Sequence, residues 1–321
     1  MKKIKYLLGI AIFASVELCN AQGIFSVEEL YRSTQSTGMG GVSIVNNANA
    51  FSVYENSSAV ALSEIKTEFG LQYSPWAKTL TKGMDRDNMM INAGGYYSLN
   101  SKHKLLAGIS FFLPGGNKMY RVDGEGNITG DEIRSKYVSV NLGYAYRIKE
   151  NLGASVGVSY ANWNDGFNDN VGFISLDLGL TNRFELKSNK RFIDIAFRIN
   201  GWGYTTEHKN YKSPGFISIG AMFNSKDLDK HLFRIGTMLE CRCLDSPGLR
   251  FSLGGEYGFN DIIFVRGGYN IDNKYRKENS FGSLGLGTKI FDRFQLDLTY
   301  LLANRESQLK NTYLVGFAIT L

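Results

Sequence analysis

The 321-residue sequence predicts an all-β protein, a 14-stranded antiparallel transmembrane β-barrel preceded by a short segment seated in the barrel lumen. Three observations carry that expectation. Apolar and polar residues alternate with a period of two through most of the chain beyond residue 65. Ionised residues such as Asp177, Arg183, Asp194 and Arg198 recur mid-strand on the face opposite the apolar one, where a polar lumen accommodates them and the dry core of a β-sandwich does not. The connections alternate between long and short, as outer loops and periplasmic turns do.

Residues 1–21 combine three lysines, an apolar run from Tyr6 to about Val16 and Ala21 as a cleavage residue, the plan of a secretory signal peptide. Cys19 invites a lipoprotein reading, but the bulky Leu18 before it is unlike the small residue such processing uses. No second apolar stretch reaches the roughly 18 residues that a spanning helix needs. An exported chain of this kind is either soluble beyond the inner membrane or a closed barrel. With 36 Gly, 4 Pro, 18 Tyr and 21 Phe, composition favours many strands with aromatic edges, hence the outer membrane and its lipid as surroundings. The formal charge of +6 becomes +4 without the leader, whose Lys2, Lys3, Lys5 and Glu17 carry a net two. No dense basic cluster points to nucleic acid. Cys241 and Cys243 share a strand face, where a mutual bridge is strained, and they lack the further ligands of a metal site. No cofactor is expected.

Residues 22–65 do not alternate and form a hatch segment. Gly38, Gly40 and Gly41 suit tight turns in a confined space, and Asn56 belongs to the same polar stretch. Residues 66–321 form the barrel. Its strands fall near 66–76, 88–99, 103–114, 135–148, 151–163, 170–184, 190–202, 214–223, 230–242, 248–259, 262–271, 280–290, 293–303 and 311–321. Each matches or exceeds the roughly 9–11 residues of a tilted spanning strand. In VSVNLGYAYRI, Val138, Val140, Leu142, Tyr144, Tyr146 and Ile148 face one way, and Ser139, Asn141, Gly143, Ala145 and Arg147 the other. Strict alternation in the terminal YLVGFAITL predicts that this strand pairs with the first and closes the cylinder. Across the short connection Asn260–Ile262, Glu256 is expected opposite Arg266. The luminal charges Asp177, Arg183, Asp194, Arg198, Glu256 and Arg266, with Glu240, Arg250 and Asp297, either line a solute path or bond one another and the hatch. The second is favoured, because isolated charges in a narrow barrel are costly.

His103, His208 and His231 lie in or beside connections, and no serine and carboxylate stand with them in an evident register, so no enzyme is expected. The longest connection, 115–134, holds Asp123, Glu125, Asp131 and Glu132 without EF-hand spacing. A loop of that length argues for binding. Together with 77–87 it offers Trp76, Leu80, Met84, Met119 and Tyr120 as apolar anchors among Lys78, Lys82, Arg86, Lys118 and Arg121, the mixture of a protein interface.

The run GMGGVSIVNNANAFSVYENSSAVAL resembles the entry signature of the PorV/PorQ group of FadL-like outer-membrane proteins, with Asn56-Ser57-Ser58-Ala59 in place of the family Asn-Pro-Ala. LQYSPWAKTL resembles the first strand of that group. GGEYGFNDIIFVRGGYNID and YLLANRESQLKNTYLVGFAITL resemble its closing strands, so the similarity extends over nearly the whole mature chain. The resemblance implies a 14-stranded barrel of the type IX secretion system. Its partners would be the translocon barrel, the C-terminal domains of secreted cargo and a sortase-like attachment subunit. Two other functions stay open: a FadL-like channel for hydrophobic solutes, and a lipid A deacylase.

Overall fold

The computed structural model describes residues 32–75, 78–123, 127–164, 166, 170–186, 190–206, 215–227, 230–243, 247–272, 280–305, 307 and 309–321. The expected signal peptide and the start of the hatch lie outside these residues. The barrel strands are β1 (Thr67–Ser74), β2 (Met89–Ser98), β3 (His103–Leu113), β6 (Lys136–Lys149), β7 (Leu152–Asn164), β8 (Asn170–Glu185), β9 (Arg191–Thr205), β10 (Phe216–Asp227), β11 (His231–Arg242), β12 (Gly248–Phe259), β13 (Ile263–Asp272), β14 (Phe281–Ile290), β15 (Phe294–Ala303) and β16 (Tyr313–Thr320). They form one closed antiparallel barrel in sequence order. β4 (Met119–Val122) and β5 (Ile128–Ile133) form a separate two-stranded sheet.

Closure is as the terminal alternation requires. Phe69 pairs with Ile319 and Leu71 with Phe317, and the Leu321 N–H reaches Thr67 O at 2.9 Å. Outward side chains form an apolar belt that includes Leu142, Leu178, Ile195, Leu253 and Val265, each about half exposed, while their strand neighbours turn inward. Such a belt on a closed barrel is stable only against hydrocarbon. At one end the strands are joined by tight turns. Asn260 and Asp261 (φ 55° and 54°) and Phe291 and Asp292 (φ 54° and 56°) occupy the left-handed region that a primed hairpin turn demands. The i→i+3 bonds of these turns are 3.0 and 3.2 Å.

Two expectations are corrected. Segment 115–134 is not a plain loop but carries the β4–β5 hairpin. The strand expected at 190–202 continues to Thr205, because β9 bulges by one residue at Asn200–Gly201, where Gly201 has φ 69°. The bulge reverses the facing, so Trp202 and Tyr204 join the outer surface.

The hatch crosses the lumen as α1 (Thr34–Gly38), a turn at Met39–Gly41, an irregular run with a further turn at Ile44–Asn46, α2 (Ser52–Glu55) and a 3₁₀ helix (Ser57–Leu62). Ser33 caps α1 by accepting from Ser36 N. Gly40 and Gly41 have φ 67° and 82°, as expected of turn glycines, whereas Gly38 ends the helix. The wall meets this backbone with backbone. A Cβ on Gly254 would lie 2.0 Å from Met39 O, and one on Gly268 would lie 2.2 Å from Gly40 N. Gly94 faces Ala50 O, and Gly153 faces Ser58 O, in the same way. Gly254→Ala should therefore lower the temperature at which the folded gel band converts to the unfolded one, by the equivalent of about 1–3 kcal/mol of overpacking. An unchanged conversion temperature would mean that the hatch does not press on the wall at that point.

Candidate functional site

The luminal face is built in layers. On β2, β3 and β6 the outermost inward residues are Met90, Phe112 and Tyr137, part of a buried apolar cluster with Phe281, Leu301 and Leu314. Next comes a polar row, Gln72, Asn92, Ser110 and Ser139, which are direct cross-strand neighbours. Below it lies the hatch, whose Ala50, Phe51, Val53, Tyr54 and Val60 pack with Tyr96 and Leu106 of the wall. On the opposite wall Met39, Val42, Ile44 and Val45 pack with Met222 and Met238.

Wall side chains bond the hatch backbone throughout. Ser283 Oγ donates to Gly38 O (3.0 Å) and accepts from Gly40 N (2.9 Å), while Thr299 Oγ1 donates to Thr34 O (2.8 Å). Arg147 Nε donates to Ala61 O at 2.7 Å, and Lys104 Nζ donates to Ser63 O. Asn56 spans hatch and wall. Its amide donates to Ile44 O (2.7 Å) and Thr181 Oγ1 (3.1 Å), and its Oδ1 caps the 3₁₀ helix through Ser58 N. Serine in place of proline at the next position leaves that cap intact.

The luminal charges sit where expected and are paired. Arg234, Glu256, Arg266 and Asp297 form a continuous buried chain across β11, β12, β13 and β15, with contacts of 3.0, 2.5 and 2.5 Å. Glu256 is directly opposite Arg266, as expected from the short turn. Arg183 pairs with Asp194 at 2.9 Å, Arg198 with Asp177, and Arg250 with Glu240 at 3.0 Å. The chain also grips the hatch: Arg234 Nη2 donates to Asn46 Oδ1 (2.8 Å) and Gln35 Nε2 to Asp297 Oδ2 (3.2 Å). Sequence reasoning missed Arg234. Its signal was present, since it stands at the same alternation phase as Glu240 on one strand.

Between these groups remains a cavity of about 90 Å³, lined by Glu55, Asp177, Arg198, Glu240 and Arg250 among others. Glu55 is buried in α2, and burial pushes its carboxyl up to about 8 against the opposing influence of Ser36, Arg198, Ser33 and Asn49. The folded protein thus holds a proton there that the unfolded chain releases above its ordinary value of 4.5. This contribution to stability is complete below about pH 4.5 and is lost as pH rises to about 8. Glu55→Gln should flatten a pH titration of thermal unfolding over that window. An unaltered slope would place the titrating group elsewhere.

Gln72, Asn92 and Ser110 are fully buried, and their side-chain polar atoms have no hydrogen-bond partner among the described residues. Unpaired buried groups cost about 1–3 kcal/mol each, whereas an apolar replacement of similar shape can be neutral or stabilising. Asn92→Leu is therefore expected to leave thermal stability equal or higher, as read by the gel conversion temperature. A marked loss would reveal a polar partner on that row.

The second feature is the outer rim. β4–β5 rises beside residues 78–88, tied by an Arg86–Gly116 bridge, by Lys118 N to Asp85 Oδ2 (2.8 Å) and by Gly115 N to Asn88 Oδ1 (2.7 Å). Arg86 itself is committed to Glu132 and does not ring an interface freely. Met84, Met119, Tyr120 and Ile128 are 45, 49, 42 and 65% exposed, and Lys78, Lys82, Lys118 and Arg121 are exposed around them. Ile128 was not among the sequence candidates. Leu80 lies in a single 3₁₀ turn, Lys78–Thr81, and Trp76 lies outside the described residues. His103 and His231 each contact a tyrosine hydroxyl, Tyr144 at 2.5 Å and Tyr257 at 2.8 Å; His208 lies outside the described residues. Cys241 and Cys243 form no disulfide, their sulfurs lying 3.9 Å apart.

No family model matches the sequence, and no curated protein sequence matches it. Solved structures do. The Pseudomonas putida toluene transporter TodX aligns with a TM-score of 0.57 at 12% identity, over 94% of this chain and 99% of its own. The Ralstonia pickettii toluene transporter TbuX gives 0.56 at 15%, over 93% and 100%. The CymD monoaromatic hydrocarbon channel gives 0.54 at 12%, over 89% and 96%. The chain therefore shares the closed-barrel fold of these transporters and channels. Identities this low establish a shared fold, and the lumen described above is this chain's own.

Proposed function

We propose that this barrel acts through its outer rim as a protein-binding component of a type IX secretion system. In this reading it takes secreted cargo by the C-terminal domain from the translocon barrel and passes it to a sortase-like attachment subunit. One observation carries the proposal. Among the described residues the lumen is crossed by a hatch bonded to the wall, and the cavity between them, about 90 Å³ and walled by ion pairs, is too small and too polar for an apolar solute. The apolar surface available for recognition stands instead on the hairpin, where Met119, Tyr120 and Ile128 are held clear of the barrel. Such residues among lysines have the composition of a protein interface. Chemistry plays no part in this role.

Replacing residues 117–133 with a short Gly-Ser turn should leave the heat-modifiable folded band intact and abolish co-purification of cargo or translocon. Normal cargo delivery by that variant would refute the role assigned to the hairpin.

A second reading, uptake of hydrophobic solutes, draws on the fold shared with monoaromatic hydrocarbon channels and on the apolar layer of Met90, Phe112, Phe281, Leu301 and Leu314 in the outer lumen. It predicts that loss of the protein slows entry of a compound such as toluene while leaving secretion unaffected.

A further inference from the structure

A groove of about 730 Å³ opens at the outer rim where β13, β14 and β15 end. Its lining mixes the two faces of the wall. Tyr269, Ile271, Tyr300 and Leu302 point outward, 52, 48, 43 and 50% exposed, whereas Phe281 and Leu301 are buried inward-facing members of the apolar outer layer. Side chains of both faces can meet in one groove only where strand pairing stops, and the pairing stops here in steps. The β13–β14 ladder ends at Asn270–Phe281 and the β15–β16 ladder at Tyr300–Tyr313, so the rim falls from Asp272 toward Tyr313. Among the described residues the result is a notch in the barrel wall above the start of β14.

Its occupant follows from its level and its charge. Tyr269 and Tyr300 are outward aromatic residues near the outer ends of their strands, the position of the aromatic girdle that marks the boundary between hydrocarbon and headgroups. A groove at that level is entered from the outer leaflet. Its size lies within the range of ordinary small-molecule sites. The acidic lining residue, Asp272, faces Arg250 at 3.8 Å. Lys310 stands at the edge of the groove, and the exposed Arg305 belongs to the same rim turn. We infer that this notch is a binding site for one anionic outer-leaflet lipid. An acyl chain lies along Tyr269, Ile271 and Leu302 toward Phe281, and the anionic headgroup is held by Lys310 and Arg305. The inference is independent of whether the barrel handles cargo or solute.

The test uses the full-length barrel in lipid nanodiscs doped with a photoreactive diacyl phosphatidic acid, and in parallel with the matching phosphatidylcholine. Labelling of peptides from β13 and β15 should favour the anionic probe about five-fold or more. Lys310→Glu with Arg305→Glu should remove that preference. Ala303→Phe, which adds bulk to the groove lining, should reduce labelling by both probes at these strands without changing labelling on β7. Inorganic phosphate at millimolar concentration should not compete, which distinguishes a lipid from a free anion. Equal labelling around the whole belt, or a headgroup preference that survives the charge reversals, would overturn the inference and leave ordinary annular lipid. Competition by inorganic phosphate would overturn it in favour of a simple anion site.

Discussion

Everything inside this barrel depends on how closely two stretches of backbone approach one another. Met39 and Gly40 of the hatch lie against Gly254 and Gly268 of the wall at distances that exclude even a methyl group. Buried peptide groups must find partners. At this range the short side chains of Ser283, Thr299 and Asn270 reach the carbonyls of Gly38, Thr34 and Gly40 directly. Longer wall residues would hold the hatch away and leave those groups unpaired. The glycines are thus not merely permissive in their own conformation: they set the distance at which the hatch can be bonded.

The buried ions obey the same constraint. A lone charge in such surroundings is costly, and removing one member of a buried pair typically costs about 3–5 kcal/mol. In the chain Arg234–Glu256–Arg266–Asp297 each carboxylate contacts an arginine, and both ends also hold hatch side chains. Charges spent in this way serve as rivets rather than as steps for a permeating solute. That assignment links the packing of the lumen to the role proposed for the rim.

The barrel was legible because a period of two is the strongest signal a strand can write into a sequence. The positions of Glu256 and Arg266 followed from a three-residue connection, since a slip of one residue would turn Val265 and Tyr269 away from the lipid face that Phe251 and Leu253 share. Local exceptions were not legible. The bulge at Gly201 breaks the alternation at a residue that also reads as an ordinary strand glycine. The β4–β5 hairpin escaped because its strands are only 4 and 6 residues long and stand among glycines and acids. The glycine seats needed knowledge of which wall residues share a level with the hatch. Gly94, Gly153, Gly254 and Gly268 are scattered along the sequence and come together only through the register. The rim notch is a consequence of strand ends, where periodicity carries least information.

The hatch is held to close the lumen, and planar-bilayer recording reads that closure directly. The intact protein should insert without ohmic conductance steps. A double variant, Ser283→Val with Thr299→Val, removes two wall-to-hatch hydrogen-bonding side chains while retaining the strands, and should show discrete openings. Steady, large conductance from the intact protein would contradict the claim and return function to the lumen.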